Sequence, residues 1–161
     1  MESYGETPFD IFLSHSKLDE AEILGLKLML EDYGYSVYVD WIDDPYLDRT
    51  KVNRESASVL RDRMKSSRSL LYVTTANSIQ SKWTPWELGF KDGNSGRAAI
   101  LPVVADETAE DVYMGVEYLG LYPYLSEHMG TDNIKRLWIN WMHTNYIDLA
   151  AWLNGKEPFQ R

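Results

Sequence analysis

The sequence predicts an α/β fold in which helices cover a parallel sheet. Short apolar runs of strand length alternate four times with segments of helical periodicity, which favours parallel strands joined by right-handed crossovers. Residues 69–74 are almost continuously apolar, as is typical of a central parallel strand that is buried on both faces. The 161 residues are 44% hydrophobic and contain no cysteine, so we expect one globular domain without disulfides or thiolate metal sites.

The first half of the chain supplies two strands and two helices. Residues 9–14 form an apolar run suited to a buried strand. Residues 18–33 carry two apolar stripes at helical spacing, which predicts a helix buried on two sides and ended by Gly34. Residues 36–41 are rich in β-branched and aromatic side chains and predict a second strand. An acidic loop follows, and residues 52–65 then predict a basic amphipathic helix.

The second half continues the alternation. After the strand at 69–74, residues 78–91 predict a helix that is ended by the polar, glycine-containing segment 92–96. Residues 98–104 predict a fourth strand, and residues 117–125 a short edge strand. Asp132 begins the last predicted element, a helical region that reaches about residue 155. Its apolar residues at helical spacing are Ile134, Leu137, Trp138, Trp141 and Met142.

The net charge of −9 argues against general binding to nucleic acid or to an anionic membrane. No apolar run is long enough to cross a bilayer and no secretory signal is visible, so we expect a cytoplasmic protein. The charge is also uneven. Residues 1–48 hold 12 acidic residues against two lysines, whereas residues 49–68 hold seven basic residues against two acidic ones. Such a run is either a solvated helix face or one half of a contact between copies.

Ligands of open parallel sheets bind beyond the carboxyl ends of the strands, which selects residues 14–16, 40–43 and 74–77. No glycine-rich phosphate loop follows the first strand, so the sequence lacks both nucleotide-binding fingerprints. The three histidines are scattered, so we predict no metal site. Ser14, His15 and Asp40 could be read as a nucleophilic triad. Neighbouring residues of a strand point to opposite faces, which makes this triad improbable.

Glu87 has two interpretations. Thr84 could cap a helix with Pro85 as its first residue, Glu87 as the reciprocal partner of a capping box, and Trp83 packed onto Leu88. Alternatively, the carboxylate of Glu87 projects toward the strand ends and Trp83 forms an aromatic wall beside it.

Four segments together resemble the sequence boxes of Toll/interleukin-1 receptor (TIR) domains. The first is Phe-Asp-Ile-Phe-Leu-Ser-His-Ser at 9–16 with Asp19, and the second is Gly-Tyr-Ser-Val-Tyr-Val-Asp at 34–40. The third is Ser-Arg-Ser-Leu-Leu-Tyr-Val-Thr at 67–74, and the fourth is the Ser-x-Trp-x-x-x-Glu-Leu box at 81–88. All four occur in the family's order, and the chain is most similar to the standalone, NAD-cleaving bacterial members that act in anti-phage signalling.

The resemblance implies a flavodoxin-like sheet of five parallel strands in the order 2-1-3-4-5 with helices on both faces. It implies a single TIR domain over residues 1–161, with a core at about 9–125 and a C-terminal helical region at about 132–155. It also implies that NAD+ is a substrate rather than a cofactor and that Glu87 is the catalytic residue. The implied substrate-binding residues are Ser14, His15, Ser16, Asp40, Trp41, Asp43 and Trp83.

The activity that the resemblance implies is NAD+ glycohydrolase or ADP-ribosyl cyclase, which breaks the nicotinamide–ribose bond. The family members lacking this activity are adaptors, and they self-associate through neighbouring helices and the loop after the second strand (the BB loop), which corresponds to residues 41–52. Glu87 together with Trp83 favours the enzyme. A deoxyribosyltransferase-like enzyme is a more distant alternative. Expected partners are NAD+, further copies of the chain and an effector that senses the nucleotide product.

Overall fold

The computed structural model describes residues 8–48, 50, 52–75, 83–103, 121–141 and 145–160. Its first half runs from β1 (Phe9–Ser14) through a 3-10 turn (Lys17–Asp19) into the helix α1 (Glu20–Asp32). Gly34, with a φ of 97°, follows this helix as predicted. The next elements along the chain are β2 (Val37–Tyr38), α2 (Asp40–Asp43), α3 (Arg54–Lys65) and β3 (Ser67–Thr74).

In the second half, α4 (Thr84–Ser95) continues four residues beyond the predicted end at residue 91 and is followed by Gly96, whose φ of 70° suits a left-handed cap. Residues 78–82 of the predicted helix and residues 117–120 of the predicted edge strand at 117–125 lie outside the described residues. The predicted edge position was wrong, because the strand that begins at Tyr124 lies inside the sheet, paired on both sides. The remaining elements are β4 (Ala98–Pro102), β5 (Tyr124–Met129), β6 (Lys135–Trp141), β7 (Asn145–Asp148), α5 (Leu149–Leu153) and β8 (Phe159–Gln160).

The sheet confirms the predicted strand order. The strands run β2-β1-β3-β4-β5-β6-β7-β8, and the pairings from β2 to β5 are all parallel. The predicted number of five strands was too small, because β6, β7 and β8 extend this sheet as antiparallel strands. β1 lies between β2 and β3, so its carboxyl end faces the same edge as theirs.

The predicted C-terminal helical region at 132–155 was wrong over most of its length. Gly130 and Asn133, which has a φ of 62°, form a tight turn that pairs Met129 with Lys135 and starts an antiparallel hairpin. In β6 the side chains of Leu137 and Ile139 are buried on one face. Among the residues of this region that the structure describes, only the short α5 is helical, because pairing with β5 imposes the period of a strand on residues whose apolar spacing also fits a helix.

The core has one part on each face of the sheet. On one face, α1 and α5 cover apolar residues of β1, β2, β3 and the antiparallel strands. On the other face, α3 and α4 cover the alternate residues of the same parallel strands. The prediction that α1 is buried on two sides was wrong: Ile23 and Leu30 are buried, but Leu24 and Leu28 are 43% and 55% exposed. Within the described ranges, no helix is both long and apolar enough to span a bilayer.

Candidate active site

The carboxyl edge of the parallel sheet brings together several of the predicted site residues. Ser14 ends β1, and Asp40 and Trp41 begin the helical turn that follows β2. Glu87 lies in the first turn of α4, on the face of the sheet that α3 and α4 cover. Ser14, His15, Asp40 and Glu87 are all at least 96% buried, with exposures of 1%, 1%, 4% and 1%.

The carboxylate of Glu87 contacts the end of β1. Ser14 Oγ donates a hydrogen bond of 2.8 Å to Glu87 Oε1, and both side chains are buried. The capping-box prediction was wrong, because Thr84 is the first helical residue rather than the cap, and Trp83 at the cap position makes no capping hydrogen bond. The hydroxyl of Thr84 instead donates to the Tyr72 hydroxyl at 3.4 Å. Glu87 therefore faces the strand ends, as the alternative interpretation predicted.

His15 is held as a neutral imidazole that accepts from Trp41. Its Nδ1 lies 3.0 Å from the Leu13 carbonyl oxygen, which requires Nδ1 to be the protonated nitrogen. Nε2 then accepts the indole N–H of Trp41 at 3.1 Å, and it lies 3.9 Å from Asp40 Oδ1. His15 contacts Trp41 while Ser14 contacts Glu87, which confirms that the two neighbours point to opposite faces. Ser14 donates to a carboxylate and not to His15, an arrangement unsuited to a nucleophilic triad.

The other three predicted site residues, Ser16, Asp43 and Trp83, contact residues that are near them in the sequence. Ser16 Oγ accepts from the Leu18 amide at 3.4 Å at the start of the 3-10 turn. Asp43 Oδ2 accepts from the Val39 amide at 2.8 Å, and burial raises the pKa of Asp43. Trp83 is 6% exposed and packs edge-on against Trp86, with ring centroids 5.3 Å apart.

A buried acid that the site prediction omitted lies at the same edge. Asp19 is 3% exposed, and the Thr75 hydroxyl donates to Asp19 Oδ2 at 2.6 Å. This bond ties the turn after β1 to the end of β3. The sequence offered a signal for it, because Thr75 belongs to one of the strand-end segments and Asp19 follows the first box.

The base of the BB loop is fixed by a partly buried ion pair. Arg63 of α3 donates to both oxygens of Asp44, from Nε at 3.0 Å and from a terminal nitrogen at 2.9 Å. Tyr38 also donates to Asp44 at 2.6 Å. Burial and this bond to Asp44 raise the pKa of Tyr38. Burial opposes ionisation of Asp44, but the hydrogen bonds from Arg63 and Tyr38 outweigh it and lower the pKa of that carboxyl.

An open cavity of about 600 Å³ lies between this loop and the start of α3. Its lining includes the carboxylates of Asp43, Asp44, Asp48 and Glu55. Such a lining repels a diphosphate, so the cavity is unsuited to the phosphate groups of a dinucleotide. In the part of the chain that the structure describes, no group of three or more His, Asp or Glu side chains is arranged to hold a metal ion.

Comparison with known proteins agrees with this arrangement of strands and boxes. The family model described as TIR domain matches residues 11–138, which is most of the chain.

The chain belongs to the TIR domain family. A "Probable 3' cyclic ADP-D-ribose synthase ThsB'" from Bacillus cereus (strain MSX-D12) is 49% identical over 146 residues, covering 90% of this chain and 75% of the relative. A "Putative cyclic ADP-D-ribose synthase TIR2" from Cytobacillus dafuensis is 32% identical over 83 residues, covering 51% of this chain and 22% of the relative. The solved TIR domain of the Toll-related receptor TRR-2 from Hydra magnipapillata is 16% identical with a TM-score of 0.49, over 66% of this TIR chain and 81% of that one.

Proposed function

We propose that this TIR domain cleaves NAD+ at the nicotinamide–ribose bond and joins the freed ribose carbon to another part of the same molecule, giving a cyclic ADP-ribose. One observation carries the proposal: the carboxylate of Glu87 is 1% exposed and is held by Ser14 at the carboxyl edge of the sheet. The family membership and the names of the two relatives support it.

The proposed chemistry needs little more than a fixed negative charge. The nicotinamide ring of NAD+ is cationic and leaves as a neutral molecule, so no strong general acid is required. The transition state has oxocarbenium character, which a nearby carboxylate stabilises electrostatically. This stabilisation is stronger in a buried, low-dielectric site than in water. Glu87 is the catalytic residue in this proposal.

The acceptor decides the product. Water gives linear ADP-ribose, whereas a nucleophile of the bound substrate gives a cyclic product and competes well with water when it is held near the reacting carbon. We propose cyclisation, because the relative that spans 90% of this chain is named a cyclic ADP-ribose synthase. If the acceptor is a hydroxyl it must lose a proton, and the Glu87 carboxylate is the base at hand.

Trp41 is the aromatic side chain that we propose for the pocket wall, because His15 fixes its indole beside Asp40. Ser16 and Asp43 have local hydrogen bonds, and in this proposal they shape the pocket through the backbone that they hold. Lys17 is exposed just after β1 and is our candidate for a phosphate contact.

We further propose that copies of the chain associate and that a second protein senses the product. The first part is based on the exposed basic residues of α3 and the acidic first third of the chain. The second is based on the product, because a cyclic nucleotide that leaves the site carries information only when another protein binds it.

The test is incubation of purified protein with NAD+, followed by chromatography and mass spectrometry of the products. We expect nicotinamide and a nucleotide that is lighter than ADP-ribose by one water. Glu87→Gln keeps the size of the side chain and should reduce cleavage at least about 100-fold, as expected when a transition-state charge partner is removed. Circular dichroism checks that the variant is folded.

Full activity in folded Glu87→Gln would contradict the catalytic assignment. No cleavage by the wild type at any protein concentration would favour the adaptor. A linear product alone would retain the cleavage and contradict the cyclisation.

A further inference from the structure

The hydrogen bond from Ser14 to Glu87 connects residues that are 73 positions apart in the sequence, and both ends of it are buried. A buried carboxylate is costly unless donors compensate for its lost hydration. Ser14 supplies one such donor at 2.8 Å. The start of α4 adds a second favourable term, because Glu87 lies in the first turn, where the helix dipole stabilises negative charge.

The donor is attached to a rigid part of the fold. Ser14 is the last residue of β1, and this strand pairs with β2 on one side and β3 on the other. A glutamate side chain has three rotatable bonds, so its position depends on what its carboxylate contacts. Contacts from rigid strands position functional groups better than contacts from loops.

We infer that Ser14 is a positioning residue for the reaction: its hydroxyl fixes the Glu87 carboxylate and keeps it ionised, and binding of the substrate does not depend on it. The inference is built on the proposed function. It assigns the serine a different task from the substrate contact that the family resemblance implies, because the donor hydrogen of its hydroxyl is directed at the protein's own carboxylate. It predicts that loss of the hydroxyl changes the rate and its pH dependence more than the KM.

The experiment compares kcat and KM for NAD+ across pH in the wild type, Ser14→Ala and Ser14→Thr. In Ser14→Ala we expect kcat to fall about 10- to 100-fold with KM changed by less than about threefold, the pattern of a misplaced catalytic group. The acidic limb of the pH profile should move up by about one pH unit, because a hydrogen bond donated to a carboxylate favours the ionised form. Ser14→Thr keeps the hydroxyl and should restore both.

Ser69→Ala is the matched control. Ser69 is a fully buried serine of β3 that donates to the Asp10 carbonyl at 2.8 Å, away from the site. Its loss should lower stability without moving the pH profile. Circular dichroism at each pH gives the folded fraction of Ser14→Ala, and rates expressed per folded molecule keep the position of the acidic limb informative if the variant is partly unfolded.

Two measurements, the kinetics and a titration, separate the alternatives. An acidic limb at the wild-type pH in Ser14→Ala overturns the inference, and a KM that rises with kcat unchanged shows a substrate contact instead. The second measurement needs no activity. It is an NMR titration of protein labelled with carbon-13 glutamate, in which the Glu87 signal is assigned by its absence from Glu87→Gln. The pKa of Glu87 should be higher in Ser14→Ala than in the wild type, and equal values overturn the inference. If the wild type cleaves no NAD+, the proposed function fails whatever this titration shows.

Discussion

At the scale of single residues, two buried charged groups, Glu87 and Lys91, have specific partners. Lys91 of α4 is 1% exposed and donates to the carbonyl oxygens of Met64 at 2.7 Å and of Ser67. These bonds join the end of α3 and the start of β3 to α4. Burial lowers the pKa of Lys91 to about 8, because the charged form loses its hydration.

Lys91 should therefore make stability depend on pH in alkaline solution. The unfolded chain keeps this proton up to an ordinary pKa of 10.5, whereas the folded protein releases it near 8. Between these values unfolding takes up a proton, so the free energy of unfolding should rise with pH, by at most about 1.4 kcal/mol per unit. Urea denaturation from pH 8 to about 9.5 measures this slope below the ordinary pKa of tyrosine.

Lys91→Met should flatten that slope and cost about 1–3 kcal/mol at pH 7, because two buried carbonyl groups lose their donor. Lys65→Met is the control, since Lys65 is exposed at the end of α3. Equal slopes in the wild type and Lys91→Met would show that this amine does not titrate in the range.

The two tryptophans around Glu87 should differ in their contributions to stability. Trp83 is the more buried of the two, with 6% exposure, and belongs to the core on the α3 and α4 face of the sheet. Trp86 is half-buried, and the Arg61 guanidinium lies 5.7 Å from its ring centre. We expect Trp83→Ala to cost about 3–5 kcal/mol and Trp86→Ala less, about 1.5–3 kcal/mol. Chemical denaturation of both variants decides the order, and a larger loss for Trp86→Ala would refute it.

At the scale of elements, the ion pair of Asp44 and Arg63 joins the BB loop to α3. Both side chains are 17% exposed, and the pair has two hydrogen bonds plus the Tyr38 donor. Arg63→Ala should cost about 1.5–3 kcal/mol, because it leaves a partly buried carboxylate without its cation.

Arg61→Ala is the matched variant on the same helix, and it should cost at most about 1 kcal/mol, the value of an exposed cation–π contact. Chemical denaturation measures both losses. Equal losses would mean that the ion pair does not anchor the loop.

At the scale of the whole molecule, some basic residues of the segment 49–68 form ion pairs with acidic residues of 1–48 within one copy of the chain. Arg63 pairs with Asp44, and Arg68 lies 3.2 Å from Asp10, so two of the five basic residues described between 52 and 68 contact the acidic third of their own chain. The basic residues of α3 that are exposed to solvent are Arg54, Arg61 and Lys65. On this helix, these are the side chains available for a contact between copies.

If the active form is an assembly, NAD+ cleavage per molecule should rise with protein concentration and fall with added salt. Exposed charges are screened within about 8–10 Å at physiological ionic strength. Arg54→Glu, Arg61→Glu and Lys65→Glu combined should reproduce the effect of salt, and light scattering should show smaller particles. Arg63 is left unchanged, because its loss would release the loop inside one copy. Constant specific activity over a thousandfold dilution at low salt would show that one copy suffices.

The sequence alone predicted β1 to β4, the helices α1, α3 and α4, and a candidate site at the carboxyl edge of these strands. Apolar runs and helical stripes are local patterns, and they fixed the alternation that confines the candidate residues to one edge of a parallel sheet. The resemblance of residues 81–88 to the Ser-x-Trp-x-x-x-Glu-Leu box of TIR domains marked the Glu87 carboxylate. Local pattern also separated Ser14 from His15, because neighbours on a strand face opposite ways.

The tertiary structure decided what depends on contacts between distant segments. Glu87 could cap its own helix or face a strand 73 residues away, and only packing of α4 against β1 selects the second. The apolar spacing at Leu137 and Trp138 fits a helix, but pairing with β5 makes that segment a strand. In the sequence Arg63 is one of several charges of a basic amphipathic helix, whereas in the fold it pairs with Asp44 and holds the BB loop. In each case two local states are close in free energy, and a long-range hydrogen bond or buried contact chooses between them.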